Sequence, residues 1–140
     1  DGWRTAMMDH GLDAGDELVS ETLFTLEGGQ AGTARLLEAG VTGIVAASDM
    51  MAVGAARAVR MWGSSVPDDV SIVGFDGTYF ATFTDPPLTT ARQPVDQLAA
   101  AVATLFVAPP ELDGWPAPQV FAPELVVGGS TAVAPSRQPV

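Results

Sequence analysis

Lysine, cysteine and asparagine are absent from the 140 residues, and histidine occurs once, as His10. Without lysine there is no P-loop phosphate clamp, no Schiff-base amine and no lysine general base. Without cysteine there is no disulfide, no thiol nucleophile and no thiolate zinc site. Without asparagine there is no N-glycosylation acceptor, and a single histidine cannot build a multi-histidine metal centre. No apolar run reaches the roughly 18–20 residues that cross a bilayer. The longest, Leu98 to Pro110, carries a threonine and ends in two prolines.

What is present is acidic and apolar. Seventeen carboxylates face six basic residues, all arginine (Arg4, Arg35, Arg57, Arg60, Arg92 and Arg137), for a formal charge of −11. Phosphate backbones are held by basic side chains, so these residues are not expected to grip nucleic acid by themselves. With 47% hydrophobic residues the length suits one globular domain. The chemistry left open is that of carboxylates and hydroxyls, or the binding of an uncharged or cationic ligand.

Along the chain, Trp3, Ala6, Met7 and His10 fall at helical spacing, so Gly2 to Leu12 reads as a helix stopped by Gly11. Leu18 to Phe24 alternates as a strand does, Gly28-Gly29 break it, and Gln30 to Ala39 reads as a second helix closed by Gly40. Gly43 to Ala47 is a short apolar run, as in a strand buried on both faces. Ser48 or Asp49 then caps a third helix, Met50 to Trp62, ended by Gly63. Val66 to Asp69 is a turn, and Val70 to Phe75 a further buried strand that ends at Asp76-Gly77.

After an irregular aromatic stretch, Thr78 to Asp85, comes an extended piece, Leu88 to Gln93. A helix follows over Val95 to Val107, with an apolar stripe of Val95, Leu98, Val102 and Phe106. A proline-rich loop, Ala108 to Pro118, contains Trp115. The last strand, Gln119 to Val127, is interrupted by Pro123, which suits an edge. Alternating helices and strands with short loops indicate an α/β fold with a parallel sheet. Because the pattern opens on a helix, a strand is expected before residue 1.

In open α/β sheets ligands lie outside the carboxyl ends of the strands. That rule selects Phe24, Ser48, Asp49 and Asp76. A carboxylate accepts hydrogen bonds from adjacent hydroxyls and an aromatic face covers the C–H side of a sugar ring, so the set suits a polyhydroxylated ligand. Each residue has another reading: Asp49 as a helix cap, Ser48 as a turn hydroxyl, Phe24 as core. Asp76 has no helix to cap in sequence and points most directly to function. Carboxylates could also hold magnesium, but no adjacent acid pair follows the strand, and no metal site is assigned. Asp9 and His10, neighbours on one helix, diverge by about 100° and form no relay. The glycine-rich Gly128 to Thr131 precedes no helix and makes no phosphate cradle.

Three stretches, SDMMAVGAARA (48–58), VPDDVSIVGFDG (66–77) and PPLTTARQP (86–94), together and in this order, closely resemble the LacI/GalR family of bacterial transcription regulators. DGWRTAM at the start, LFTLEGGQAG (23–32) and PELVVGGST (123–131) are similar to further parts of that family. The resemblance implies a Rossmann-like parallel sheet with flanking helices, forming part of a periplasmic-binding-protein-like type I domain. It divides the chain into residues 1–93, most of the C-terminal effector-binding subdomain without its first strand; 94–118, a crossover helix and loop of the other subdomain; 119–131, a returning strand; and 132–140, a tail.

The resemblance also implies a small-molecule effector, a carbohydrate, bound by Phe24 (stacking), Ser48, Asp49 (shaping the site), Asp76 (hydroxyls) and Val95 (lining the cleft). It implies a cytoplasmic homodimer whose interface includes Val53 and Thr84. DNA would be bound through a helix-turn-helix head outside this chain. No cofactor, membrane attachment or enzymatic activity is implied. Ser48, Gly77 and Gly128 depart from the family pattern, which often has asparagine or aspartate, a second aspartate and arginine there. Two alternatives stand beside this one: a transporter's sugar-binding protein of the same fold, and an enzyme using Asp49 and Asp76 as a carboxylate pair.

Overall fold

The computed structural model describes residues 2–107 and 117–135. The elements run α1 (Gly2–Asp9), α2 (Leu26–Glu38), β1 (Gly43–Val45), α3 (Asp49–Met61), β2 (Ser71–Asp76), β3 (Thr89–Arg92), α4 (Val95–Val107) and β4 (Glu124–Val126), with 3-10 turns at Asp16–Leu18 and Tyr79–Phe83. The four strands lie in the order β1-β2-β3-β4. β1, β2 and β3 are parallel, in the registers Ile44↔Ile72 and Gly74↔Thr90. β4 runs antiparallel to β3, with Ala91↔Leu125. The expected α/β architecture with a mostly parallel sheet is therefore present.

Three helices end the same way. The amides of Gly11, Gly40 and Gly63 each donate to a carbonyl three residues back, and the amides of Leu12, Val41 and Ser64 reach five residues back, to Met7, Leu36 and Val59. This closure needs a left-handed residue, and all three glycines have positive φ. The stops assigned from sequence are the stops used.

The start of α2 differs from expectation. Gly28-Gly29 do not break the chain; they lie buried in the first turns of a helix that begins at Leu26, capped by Thr25 Oγ1, which accepts from Gly28 N at 3.0 Å. Their role is close packing. A Cβ on Gly29 would overlap Met51 O, and one on Gly54 of α3 would overlap Leu26 O. Glycines facing each other across the contact let the backbones of α2 and α3 approach where side chains would hold them apart.

The expected strand Leu18 to Phe24 is absent. Its backbone is extended at Val19, but it pairs with no strand among the described residues and lies over α2, where Ser20 and Thr22 face Gly32. Alternation alone does not make a strand; a ladder partner must be present to receive the backbone groups.

β1 also departs from the reading. Ile44 is buried, but Val45 is 68% exposed, so only one face of this strand is covered among the described residues. The last strand is shorter than expected, beginning at Glu124 just after Pro123, which has no amide to offer the ladder. The loop containing Trp115 lies, over residues 108–116, outside the described residues.

The core sits between α2, α3 and the inner face of the sheet: Leu37, Ile44, Ala52, Ala55, Val59, Val70, Ile72 and Leu88. Ser130, fully buried, ties β2 to the start of β3 through their backbones. Its Oγ donates to Ile72 O at 2.6 Å and accepts from Thr89 N at 2.8 Å, and its carbonyl accepts from Ile72 N. The glycine-rich run is thus a structural closure: a Cβ at Gly128 would overlap Pro87 O. By contrast α4 contributes no buried residue.

Candidate functional site at the carboxyl edge of the sheet

Parallel strands bring their carboxyl ends to one edge, and helices that run antiparallel to them return their N-termini to that edge. Phe24 precedes α2, Ser48 and Asp49 open α3, Asp76 ends β2, and Val95 opens α4 just after β3. The topology therefore places all five candidate residues at the same end of the sheet, but their environments differ.

Ser48, not Asp49, is the N-cap of α3. Its Oγ accepts from Met51 N at 3.2 Å, and the residue is 1% exposed. Asp49 is the first helical residue and fully buried. Its Oδ2 accepts from both the amide and the hydroxyl of Thr78, each at 2.6 Å, and its Oδ1 accepts from Thr90 Oγ1 at 2.6 Å. A negative group in the first turn also suits the helix dipole. Gly74 makes room for this carboxylate, since a Cβ there would overlap Asp49 Oδ1. Three donors and a helix N-terminus together account for a buried carboxylate that has no cationic partner among the described residues.

Asp76 is held differently. It is half-buried and has φ 110°, the only positive value outside glycine among the described residues. The strain is held by its neighbours: Gln93 N donates to Asp76 O at 3.1 Å, and Gly77 N donates to Thr90 Oγ1 at 3.3 Å. Gly77 follows with φ 70°, and a Cβ there would come within 2.5 Å of Arg92 Cβ. A residue with a side chain would be both strained and crowded at this position. The Asp76 carboxylate accepts from Gln93 Nε2 at 2.7 Å through Oδ1. Oδ2 has no partner among the described residues.

Phe24 is 66% exposed and Val95 62% exposed. The edge thus offers an open aromatic ring, an open aliphatic group and one carboxylate oxygen unengaged among the described residues, above a buried layer of Ser48, Asp49 and Thr90 that the half-buried Thr78 joins. Sequence reasoning did not single out Thr78, Thr90 or Gln93. PPLTTARQP carried two of them, but only their contacts show which carboxylate each one serves.

Other candidates separate from this edge. His10 Nδ1 contacts Ala6 O of its own helix at 2.9 Å. No group of three or more metal-ligating side chains is gathered among the described residues, and no described helix is long and apolar enough to cross a membrane. Val53 and Thr84 are brought together, on the rim of a shallow depression that Ala56, Arg60, Asp85 and Pro86 also line.

Comparison with known proteins gives this geometry its context. Residues 1–131 match the family described as periplasmic binding protein-like domain. The chain is 55% identical over 126 residues to the HTH-type transcriptional regulator MalR of Streptomyces coelicolor, covering 87% of this chain and 36% of that regulator. Among solved structures, a complex of the transcriptional regulator CelR with cellobiose superposes with a TM-score of 0.80 at 32% identity, covering 92% of this chain and 40% of the other. A LacI family regulator from Enterococcus faecium with bound ribose gives 0.78 at 28% identity, covering 94% and 49%. The chain spans about a third to a half of the length of these proteins. It belongs to the LacI/GalR family of regulators, within their periplasmic-binding-protein-like effector domain.

Proposed function

We propose that this chain is the sensing part of a bacterial transcription regulator, which binds a neutral carbohydrate at the carboxyl edge of its sheet. Residues 1–93 and the returning strand would form most of one subdomain, and residues 94–118 would belong to a neighbouring one. DNA binding would reside in a head outside these residues, consistent with the −11 charge. The observation that carries the reading is the Asp76 carboxylate, half-buried at the sheet edge with one oxygen engaged by Gln93 and the other unengaged. Such an oxygen accepts from a ligand hydroxyl, while the open Phe24 ring and Val95 offer apolar cover for the sugar's C–H face. Ser48 and Asp49 form the layer beneath that fixes the edge.

The reading has no catalytic step. Asp49 is fully buried with both oxygens occupied by this chain's own donors, so Asp49 and Asp76 do not present two free carboxylates for acid–base work. The protein would be cytoplasmic and would act as a homodimer through the surface around Val53 and Thr84. Effector binding would then act by favouring one arrangement of the whole regulator over another. The test is Asp76→Ala in the full regulator: it should abolish the response to effector while operator binding persists. An unchanged response would remove Asp76 from the site.

A further inference from the structure

Gln93 is tied to Asp76 twice. Its side-chain amide donates to Asp76 Oδ1 at 2.7 Å, and its main-chain amide donates to Asp76 O at 3.1 Å. Its own carbonyl accepts from Val95 N at 2.9 Å, at the first residue of α4. One residue thus holds the candidate ligand carboxylate on one side and starts the connection from β3 to α4 on the other. A carboxylate on a residue with φ 110° would otherwise be free to rotate about χ1 and χ2, and the cost of fixing it would fall on ligand binding.

We infer that Gln93 is a positioning residue: it takes up Asp76 Oδ1, so that ligand hydroxyls are received by Oδ2, and it couples occupancy of that oxygen to the β3–α4 junction. The inference rests on the proposed role of Asp76 in ligand binding and adds to it a direction. A ligand that pulls the carboxylate toward itself loads the Gln93 amide, and through it the start of α4. The chemistry recognised is that of a neutral hydroxyl donor. An anionic group would meet the carboxylate unfavourably.

Two measurements separate the inference from the reading beneath it. In the unliganded chain, the Gln93 side-chain NH2 resonances in a 15N–1H spectrum should lie away from the free-amide position. They should return to it in Asp76→Ala, and the amides of Val95 to Leu98 should shift with them. Resonances at the free-amide position in the unsubstituted chain overturn the inference whatever the ligand.

In calorimetric titrations of the full regulator with cellobiose and ribose, the sugars bound in the related structures, Gln93→Ala should weaken the sugar that binds by about tenfold, the scale of a charge-assisted hydrogen bond. The reversed pair Asp76→Asn with Gln93→Glu should regain most of what either single change loses. The amide introduced at position 76 then donates to the carboxylate introduced at position 93 and keeps its own carbonyl for the ligand. Full affinity in Gln93→Ala with none in Asp76→Ala overturns positioning and leaves the binding reading intact. If none of these sugars binds, the carbohydrate reading loses its support, and the amide spectrum alone decides whether Gln93 holds Asp76.

Discussion

Thr90 Oγ1 donates to Asp49 Oδ1 at 2.6 Å and accepts from Gly77 N at 3.3 Å, so one hydroxyl joins a buried carboxylate to the turn that presents Asp76. Through it, the N-terminus of α3, the middle of β3 and the end of β2 hold one another. Removing either partner leaves a buried polar atom without a bond, which costs more than the bond itself contributes.

Thr90→Val keeps the shape and removes the hydroxyl. It should destabilise the fold by about 2 kcal/mol, read as a lowered urea midpoint with an unchanged slope. Asp49→Ala, which orphans both Thr78 donors as well as Thr90, should cost more, on the order of 3 kcal/mol. Thr90→Ser should behave almost as the unsubstituted chain. Equal midpoints for Val and Ser at position 90 would show that the hydroxyl carries no stability.

The contact of α2 with α3 sets a second expectation. Gly54→Ala puts a Cβ into Leu26 O, and since both partners lie in helices the two must separate. A loss of about 1–3 kcal/mol is expected, the cost of overpacking. Gly43→Ala on the exposed start of β1 meets nothing within 4 Å, and should be neutral or slightly stabilising because alanine restricts the unfolded chain. Thermal melts of the two variants should therefore move apart, and parallel shifts would refute the packing role given to Gly54.

Much of this was legible and part of it was not, for physical reasons. The three glycine stops were readable because left-handed closure is a local demand that few other residues meet. The parallel pairing of β1 with β2 followed from the helix between them, whereas β3, reached through an irregular aromatic stretch with only a 3-10 turn, read simply as an extended piece. Gly28-Gly29 were misread as a break because a glycine pair looks the same whether it disrupts a helix or lets a neighbour approach; only Met51 and Gly54 on the facing helix decide. Leu18 to Phe24 was misread because strand character depends on a partner the segment itself does not contain. At the site, position after a strand marked Ser48, Asp49 and Asp76 together. It could not say that Thr78 and Thr90 occupy Asp49 while Gln93 leaves half of Asp76 open.

Acid should act on the turn after α3. The Ser65 hydroxyl donates to Asp69 Oδ2 at 2.6 Å and the Ser65 amide at 2.8 Å, and these bonds hold the Asp69 carboxyl below its ordinary value. A carboxyl depressed in the folded state adds stability that is present above the unfolded value of about 3.9 and is lost as pH falls through the lower folded one. Asp69 lies at the surface, so the effect is local. Ser65→Ala should return the Asp69 titration midpoint toward the unfolded value in a carboxyl-detected NMR titration. An unmoved midpoint would break the link to Ser65.

Self-association is expected from two surfaces, and they can be told apart. α4 buries none of its residues, and Val102, Phe106 and Val107 are 51%, 83% and 86% exposed. An apolar helical stripe open to water drives association in proportion to its area. The depression around Val53 and Thr84 is lined also by Arg60 and Asp85, a mixture that favours a specific, salt-sensitive contact. This chain should therefore show concentration-dependent mass in light scattering. Phe106→Glu with Val102→Asp should lower that mass at any salt concentration, because the stripe acts by apolar area. Val53→Arg should remove the part that weakens with added salt, because it places a second cation beside Arg60. Val102 and Phe106 are exposed on α4, so the melting temperature should hold in that variant. Val53 is partly buried against the core, so Val53→Arg should lower it somewhat and is compared with the unsubstituted chain well below the melting temperature. If mass stays constant across concentrations in the unsubstituted chain, neither surface associates in this part of the protein. If Phe106→Glu with Val102→Asp alone abolishes all association, the Val53 surface is not an interface of this chain by itself.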